Sequence, residues 1–493
     1  MKSTFCILVS LCLLIIGVDP SSASERTTVT RPNILFIAID DLRPTLGCYG
    51  DPIAKTPNID QLAQQGILFQ RAYCQQAVCS PSRTSLLTSR RPDTVRVWDL
   101  KTHFRKTLPN AVTLPQFFKQ QGYFACSIGK IFHGSGKPSQ DPPSWSCEPE
   151  YDISREAHLR YALPENLSGT GLKRAASEKA KVADDTYIDG VVCKAAIEKL
   201  HALQQTTQPF FLAVGFRKPH LPFCAPAKYW NLYEPNEIPP LVNDQTPQGA
   251  PEVATRSWQE LEGYTDIPAN GELPPAKVAE LRHGYYACVS YVDALVGRLL
   301  RALDGLKLRE QTIVVLWSDH GFHLGEQGLW TKANNYELST RVPLMVAFPQ
   351  KYPQGVRTNA IVELVDLYPS LVEACGIEVP EDLEGKSFLP LLSNPQRQWK
   401  EAAFSQFPRP YKGSRFEEDG DIMGYTVRSD RYRYVQWRDL QTGHMHAEEF
   451  YDHQTDPEEM QNLVGQSSSV RILKEHRQRL TEQGSFSSLS RFE

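Results

Sequence analysis

The chain has 493 residues, enough for one large domain and a smaller one, and its 41% hydrophobic and 22% charged residues are typical of a globular protein. Its 53 lysines and arginines nearly balance its 57 aspartates and glutamates, which gives a net charge of −4. This balance excludes the basic surplus that would indicate a nucleic-acid partner.

The N-terminus has the pattern of an export signal. Lys2 supplies a positive charge, residues 5–18 form an apolar run, and small residues at 21–24 suit cleavage. An apolar run of about 14 residues is too short to span a bilayer, so no stable membrane insertion is expected after cleavage. We therefore predict a signal peptide over residues 1–24 and an exported protein, either periplasmic or secreted, or lysosomal in a eukaryote.

The first predicted strand covers residues 33–39 and is followed directly by Asp40 and Asp41. A helix is predicted after it, with Thr56 as its N-cap, Pro57 as its first residue and Gly66 as its stop. The spacing of apolar residues between Pro57 and Gly66 gives this helix one buried face.

The next informative segment is Cys79-Ser80-Pro81-Ser82-Arg83, which precedes a helical stretch. Pro81 suits the first turn of a helix, so Cys79 is expected at a helix N-terminus, where anions are attracted. Arg83 adds a guanidinium with a geometry suited to oxyanions. The alternative interpretation is a buried, unreactive cysteine before an ordinary helix.

Three more apolar runs end in polar residues: 123–128 before Lys130 and His133, 210–215 before His220, and 312–317 before Asp319 and His320. Such runs are typical of strands buried on both faces of a sheet. Predicted helices at 186–203 and 277–303 alternate with them, which indicates a doubly wound α/β fold. Because ligands bind beyond the carboxyl ends of such strands, we expect these polar residues and Cys79 to meet at one edge.

The pattern changes near residue 396. Residues 399–415 resemble a loop, 425–437 an antiparallel hairpin, 449–451 a further strand, and 470–483 an amphipathic helix. This predicts a smaller α+β subdomain over 396–493, after a catalytic domain over 31–395.

The expected edge carries the groups needed to hydrolyse an anionic ester. Three aspartates offer hard oxygen ligands for calcium or magnesium, and His320 adds a nitrogen. Arg83, Lys130 and Lys332 would neutralise charge on a transferred group, while two histidines, His133 and His220, would move protons. These groups alone do not separate a phosphate ester from a sulfate ester.

The Cys79 segment, with Leu87, Thr88 and Arg90 after it, resembles the signature of the type I sulfatase family. In that family a maturation enzyme oxidises the cysteine to formylglycine. Further segments resemble the iduronate-2-sulfatase subgroup, namely 40–44, 47–51, 57–60, 76–79, 90–94, 129–133, 216–220, 318–321 and 330–332. The resemblance covers most of residues 32–380 and implies an alkaline-phosphatase-like fold with a mixed central sheet.

The resemblance also implies roles for the matching residues. Cys79, as formylglycine, would be the nucleophile and a ligand of one calcium ion, together with Asp40, Asp41, Asp319 and His320. Arg83 and Lys130 would hold the formylglycine and the sulfate, and His133 would assist the nucleophile. His220 and Lys332 would contact the sulfate ester, with His220 as the proton donor to the leaving alcohol.

The aldehyde has a chemical reason. The aldehyde hydrate carries two hydroxyls on one carbon. One hydroxyl accepts the sulfuryl group, and deprotonation of the other then expels sulfate. Serine has only one hydroxyl, so its sulfate ester would be trapped. The implied partners are a sulfated carbohydrate, probed first as a 2-O-sulfated uronic acid, and the formylglycine-generating enzyme. Sugar selection is expected from the loops at 98–106, Phe322-His323 and 411–415.

Three alternatives stay open at this point. The first is a sulfatase for another polysaccharide or for a small ester such as choline sulfate. The second is a phosphatase or phosphodiesterase of the same superfamily, and the third is a binder of sulfated glycans without catalysis.

Overall fold

The computed structural model describes Met1 and residues 31–484, except for 135, 152–156, 169–172, 256–259, 269–271, 350–351 and 411–420. Apart from Met1, the predicted signal peptide lies outside the described residues. Among the described helices, none combines the length and the apolar character that a bilayer crossing requires.

The strands of the described residues are β1 (Asn33–Ile39), β2 (Ile67–Tyr73), β3 (Phe124–Gly129), β4 (Ser177–Ala180), β5 (Phe210–Phe216), β6 (Phe223–Pro226), β7 (Thr312–Ser318), β8 (Arg341–Ala347), β9 (Val356–Glu363), β10 (Ala402–Arg409), β11 (Ile422–Ser429), β12 (Tyr432–Asp439) and β13 (Met445–Asp452). The α-helices are α1 (Pro57–Gln65), α2 (Cys79–Thr88), α3 (Pro92–Val95), α4 (Leu114–Gln120), α5 (Pro164–Leu167), α6 (Ile188–Gln204), α7 (Ala227–Trp230), α8 (Glu252–Thr255), α9 (Pro275–Gly305), α10 (Glu337–Thr340), α11 (Leu367–Ala374), α12 (Leu389–Ser393) and α13 (Val470–Glu482).

Seven strands form the central sheet, in the order β3-β5-β1-β7-β8-β2-β9. In this sheet β8 runs antiparallel to both of its neighbours, and the other six strands share one direction. The sheet is therefore mixed and doubly wound, as the sequence predicts, and six carboxyl ends lie at one edge.

Helices cover both faces of this sheet. Alternate residues of β1 belong to two hydrophobic clusters: Leu35, Ile37 and Ile39 lie in the cluster that includes α6 and α9 side chains, and the residues between them lie in the cluster of α2, α4 and α11. Burial on both faces explains why the strand sequences are apolar throughout rather than alternating.

Helix α1 begins at Pro57 and stops before Gly66, as predicted, but the predicted cap by Thr56 is wrong. Thr56 makes no side-chain cap; its hydroxyl donates to Asp60 Oδ1 (3.1 Å) and accepts from the Gly47 N–H (2.9 Å). Gly66 is extended rather than left-handed, and it is required for space, because a Cβ there would lie 2.5 Å from the Val346 carbonyl oxygen.

A second, antiparallel sheet has the order β10-β11-β12-β13, and Leu473 and Leu480 of α13 pack in its hydrophobic cluster. The predicted hairpin, following strand and helix are confirmed. The predicted loop at 399–415 is wrong for 402–409, which form β10; nearly all of that strand is buried, so its sequence lacks the alternation that marks a strand. The boundary near residue 396 stays a prediction.

Candidate active site

Strands β1, β5 and β7 end side by side and present the acidic residues. In the β1 register, Ile39 pairs with both Phe216 and Ser318, so Asp40 lies level with Asp319. The Asp40 N–H continues the ladder to the Phe216 carbonyl (3.2 Å). Asp41 then turns at φ 62°, a left-handed conformation that aspartate tolerates better than most residues.

Two glycines allow Lys130 to lie at the same edge of the central sheet as these aspartates. A Cβ on Gly129 would lie 2.2 Å from the Gly215 carbonyl oxygen, and a Cβ on Gly215 would lie 2.0 Å from that of Lys130. Only glycine allows β3 and β5 to approach this closely. Lys130 Nζ then donates to Asp40 Oδ2 and lies 3.4 Å from Cys79 Sγ.

Cys79 is the first residue of α2, as the sequence predicts. Its Sγ lies 3.3 Å from His320 Nε2 and 3.5 Å from Asp40 Oδ1. Ser82, one turn along the helix, ties α2 to the end of β7 by donating to the Asp319 carbonyl oxygen (2.5 Å). Cys79 is thus fixed at the point where the strand ends converge.

Arg83 is fully buried beneath this point. Its guanidinium donates to Asp319 Oδ2 (2.7 Å), Asp40 Oδ1 (3.3 Å) and the carbonyl oxygens of Lys130 and Ile131. Among the described residues, every hydrogen bond of this guanidinium is to one of the protein's own oxygens, so Arg83 orients the two aspartates.

Lys332 and His220 lie on the other side of Asp41. Lys332 Nζ is 3.1 Å from Asp41 Oδ1 and 2.7 Å from Glu260 Oε2. His220 Nδ1 contacts the Leu221 carbonyl oxygen at 2.7 Å, which leaves Nε2 facing Glu260 Oε1 at 3.3 Å. Sequence reasoning missed Glu260, because a single glutamate in a loop carries no recognisable pattern.

Two nitrogens near Lys130 have no hydrogen-bond partner in the described part of the chain: His133 Nδ1 and Arg217 Nε, both buried. Burial lowers the pKa of His133 well below its ordinary value, and the charge of Lys130 lowers it further. His133 is therefore a neutral imidazole at pH 7.

The site fits a divalent cation. Asp40, Asp41, Cys79 and His320 offer ligand atoms within 4.8 Å of one another. The His320 Nδ1 contact with the Gly321 carbonyl oxygen (3.1 Å) leaves Nε2 as the free lone pair, and burial lowers the pKa of this histidine. The fit is strengthened by Asp41 Oδ1, a buried oxygen that lies 3.1 Å from Lys332 Nζ but accepts no hydrogen bond of suitable angle from it or from another described residue.

Charge counting supports the same conclusion. The four carboxylates of Asp40, Asp41, Glu260 and Asp319 form ion pairs with only three permanent cations, those of Arg83, Lys130 and Lys332, so this ion-paired group has a surplus of one negative charge. The surplus affects Asp41: burial raises its pKa well above the ordinary value, Lys332 opposes this, and the neighbouring carboxylates add to it. A bound cation would remove the surplus.

The loops expected to select the sugar have different positions. Phe322 and His323 are fully buried, and His323 bonds to Gln327 and Ser339, so these two do not form a surface loop. In the 98–106 loop, Leu100 packs beside Val78, next to Cys79. The 411–415 segment lies outside the described residues.

A mixed α/β sheet with an anion-binding carboxyl edge is the architecture of the alkaline-phosphatase-like hydrolases. Residues 32–377 match the family Sulfatase, and residues 325–485 match the family N-sulphoglucosamine sulphohydrolase, C-terminal. The chain is 34% identical to the iduronate 2-sulfatase of Homo sapiens over 523 aligned positions, which cover 91% of this chain and 94% of that protein. The chain therefore belongs to the sulfatase family, and it is a sulfuric ester hydrolase.

Solved structures agree on the fold. A phosphonate monoester hydrolase from Silicibacter pomeroyi superposes with a TM-score of 0.74 at 20% identity, covering 92% of this chain and 95% of that one. A protein solved with its substrate D-glucosamine-2-N,6-O-disulfate superposes with a TM-score of 0.71 at 23% identity, covering 94% and 99%. At these identities the likeness concerns the fold alone.

Proposed function

We propose that this sulfatase hydrolyses sulfate esters of a saccharide, with a 2-O-sulfated uronic acid as the first substrate to test. The proposal takes its substrate class from the human iduronate 2-sulfatase, which shares 34% identity over nearly the whole chain. In this proposal Cys79 acts after conversion to formylglycine, and one calcium ion is bound beside it.

The convergence on Cys79 is the observation that carries the proposal. The Cys79 thiol lies among His320, Lys130 and Asp40 at a helix N-terminus, where an anion is favoured. Burial raises the pKa of this thiol well above its ordinary value and Asp40 adds to the effect, so the unmodified side chain is not a thiolate nucleophile at pH 7. Conversion to an aldehyde hydrate would supply the hydroxyl nucleophile that the thiol cannot.

Charge balance supports the calcium ion. Without the ion, the ion-paired group of Asp40, Asp41, Glu260, Asp319 and their three cations has one carboxylate more than it has cations; with a divalent ion this group has an excess of one positive charge. A sulfate monoester carries one negative charge, which would balance that excess. When bound by the aspartates and His320, the ion would polarise the sulfate oxygens.

The remaining residues have distinct roles in this proposal. Lys130, paired with Asp40, and Lys332, paired with Asp41, would neutralise charge on the sulfuryl group as it transfers. Arg83 holds the carboxylates and, through them, the nucleophile.

His220 donates its Nδ1–H to the Leu221 carbonyl oxygen, so only the imidazolium form carries a proton on Nε2. Burial and Lys332 lower the pKa of His220, while Glu260 lies 3.3 Å from Nε2 and would stabilise that proton before it passes to the leaving alcohol. His133 assists deprotonation near Cys79.

We further propose that the protein is exported and is matured by a formylglycine-generating enzyme. Residues 31–395 would then carry the catalysis, and 396–493 would form the C-terminal subdomain. Mass spectrometry of the mature protein tests both steps: the Cys79 peptide should carry an aldehyde or its hydrate, and the N-terminus should lie after residue 24. An active preparation that contains only unmodified Cys79 would refute the maturation step.

The substrate is tested with a panel of defined sulfated disaccharides, choline sulfate, and an aryl sulfate paired with the matching aryl phosphate. We expect sulfate release from 2-O-sulfated uronates, far slower release from choline sulfate, and negligible phosphate release. Chelation should abolish the activity and calcium should restore it. Faster hydrolysis of the phosphate, or activity that survives chelation, would contradict the proposal.

A further inference from the structure

A cavity of about 220 Å³ opens beside the proposed catalytic edge. His220 and Glu260 form part of its wall, and the rest includes the apolar or aromatic side chains Leu159, Tyr187, Leu221, Pro222 and Tyr264. A mixed wall of this kind is typical of sites that bind small molecules. The cavity lies where the remainder of a substrate would extend from a sulfate group held near Cys79.

The two lysines that line this cavity, Lys173 and Lys218, have partners in the protein backbone. Lys173 Nζ donates to the carbonyl oxygens of Glu260 (3.0 Å) and Glu262. Lys218 Nζ donates to those of His220 (2.9 Å) and Pro222. Both lysines therefore hold the loops that carry His220 and Glu260 in position.

Arg217 differs from these lysines. Its backbone N–H is held by Asp189 Oδ1 (2.8 Å), which fixes the residue at the end of β5. Its guanidinium, by contrast, has no ion pair or side-chain hydrogen bond among the described residues, and Nε is buried. Arg217 follows Phe216, whose register partner Ile39 precedes Asp40, and Arg217 lines the same cavity as His220 and Glu260. The guanidinium therefore lies beside the proposed catalytic edge, and its charge contributes to lowering the pKa of His133.

An unpaired guanidinium at a partly buried position is costly, because it loses water without gaining a partner. The neighbouring cations Lys130 and Lys332 already have carboxylates to balance them. Arg217 therefore has spare charge and spare donors on the cavity wall. Its planar fork matches an oxyanion, which it binds through two parallel hydrogen bonds.

We propose that Arg217 binds a second oxyanion of the saccharide, a carboxylate or a second sulfate, on the sugar whose sulfate is hydrolysed. This inference rests on the proposed function and narrows it to sugars that carry an anionic group next to the scissile sulfate. Arg217 is then a residue that determines specificity, because a neutral sulfated sugar leaves its guanidinium unpaired.

The test uses the mature enzyme and three substrates: a 2-O-sulfated uronate disaccharide, the same disaccharide with its carboxylate reduced to an alcohol, and the reduced form carrying a second sulfate. Arg217→Gln should lower kcat/KM on the uronate about 10- to 100-fold, mainly through KM, because a charge-assisted bidentate contact is lost. On the reduced disaccharide the loss should stay within about threefold, since that substrate never uses the contact.

Two further variants control the result. Arg357→Gln removes an exposed positive charge from β9 and should change neither rate. Arg217→Lys keeps the charge without the fork and should recover part of the uronate activity. Because the reduced disaccharide reports on folding and chemistry in every variant, a misfolded protein is recognised by loss of both rates.

The outcomes are distinguishable. A selective loss on the uronate assigns the carboxylate, and a selective loss on the disulfated sugar assigns a second sulfate. Equal losses on charged and neutral substrates, or no loss at all, would overturn the role of Arg217 while leaving the sulfatase reaction intact. If the wild type releases sulfate from none of the saccharides, the proposed function itself fails and the inference falls with it.

Discussion

Two buried charge clusters lie at the same edge of the central sheet and are built differently. The first, at the end of β9, places the carboxylates of Glu363 and Asp366 against Arg91 and Lys400, so two negative charges meet two positive ones. The second, around Cys79, has four carboxylates that form ion pairs with only three permanent cations. Buried carboxylates are thus matched one for one by paired cations in the first cluster and not in the second.

The two clusters also differ in how completely their buried polar atoms are hydrogen-bonded. Glu363 Oε1 accepts from Arg91 (2.9 Å) and the Phe404 N–H (3.0 Å), while Oε2 accepts from Arg91 (2.9 Å) and Lys400 (2.7 Å). Around Cys79, by contrast, buried atoms of Asp41, His133 and Arg217 lack hydrogen-bond partners in the described part of the chain. Buried charge is therefore a poor indicator of a binding site, whereas unmatched charge and unpaired atoms point to one.

The largest effect is expected at Cys79, where a substitution should stop turnover and leave stability almost unchanged. Cys79→Ser should lower multiple-turnover sulfate release at least about 10³-fold, because a single hydroxyl forms a sulfate ester that nothing expels. The melting temperature should change by less than about 2 °C, since one small buried side chain replaces another of similar size. The measurements are a time course of sulfate release and a thermal unfolding curve.

Release of one equivalent of the alcohol per enzyme, with the sulfate retained on the introduced serine and none released, would be consistent with this prediction. Sustained turnover by the serine variant would show instead that hydrolysis does not need an aldehyde at Cys79. Ser80→Ala provides the matched control, because it alters the adjacent position on the same helix without touching the nucleophile.

The second prediction concerns the balanced cluster, where a substitution should lower stability and leave activity unchanged. Lys400→Met should lower the free energy of unfolding by about 3–5 kcal/mol, because it leaves two buried carboxylates with only Arg91 as a counter-charge. The folded variant should keep the wild-type kcat/KM at 25 °C. Urea denaturation and a sulfatase assay on the same preparation give both quantities.

Lys474→Met is the control, since Lys474 is exposed on α13 and its loss should cost less than about 0.5 kcal/mol. A large fall in kcat/KM for Lys400→Met, with little change in stability, would mean that the β9 cluster takes part in catalysis and that the comparison between the clusters is wrong.

Much of this comparison could be predicted from sequence. The apolar runs end at strand boundaries, so Asp40, Asp319, Lys130 and His220 were expected at one edge, and the structure brings them there with Cys79. This succeeded because a doubly wound sheet fixes where its strand ends lie. The C-terminal hairpin was also predicted, from its aromatic and β-branched alternation.

Other features have no local signal. Glu260 reaches Lys332 and His220 from a distant loop, and the strand β10 is too uniformly buried to alternate. Whether Arg217 has a partner depends on which side chains surround it in space, and sequence spacing does not report that. Whether the charges of a buried cluster balance likewise depends on the whole fold, so the difference between the two clusters could be found only from the structure.

The third prediction concerns the proton donor of the unbalanced cluster. His220→Asn should lower kcat about 10²-fold for a sugar sulfate, whose alcohol leaves poorly without a proton. For an aryl sulfate, whose phenol leaves readily, the loss should be less than about fivefold. His201→Asn, at an exposed position on α6, is the control. Equal losses on both substrates would assign His220 to sulfate binding instead of proton transfer.

The smallest expected effect is the change with pH in the stability that Glu363 of the balanced cluster contributes. Burial alone would raise the pKa of Glu363, but Arg91 and Lys400 outweigh burial and lower it from 4.5 to about 2. As the pH falls, the unfolded chain therefore takes up this proton before the folded one does. The stabilisation is complete above pH 4.5 and is lost as the pH falls towards 2.

Glu363→Gln removes this titration. The variant should be less stable than the wild type at pH 6. The gap in unfolding free energy should narrow by about 2 kcal/mol between pH 5 and pH 3, because in that range the unfolded wild-type chain takes up the Glu363 proton while the folded protein does not. Urea midpoints at pH 6, 5, 4 and 3 measure the gap. A gap that stays constant with pH would mean that Glu363 titrates alike in both states, so that charge balance contributes nothing to the stability of this cluster.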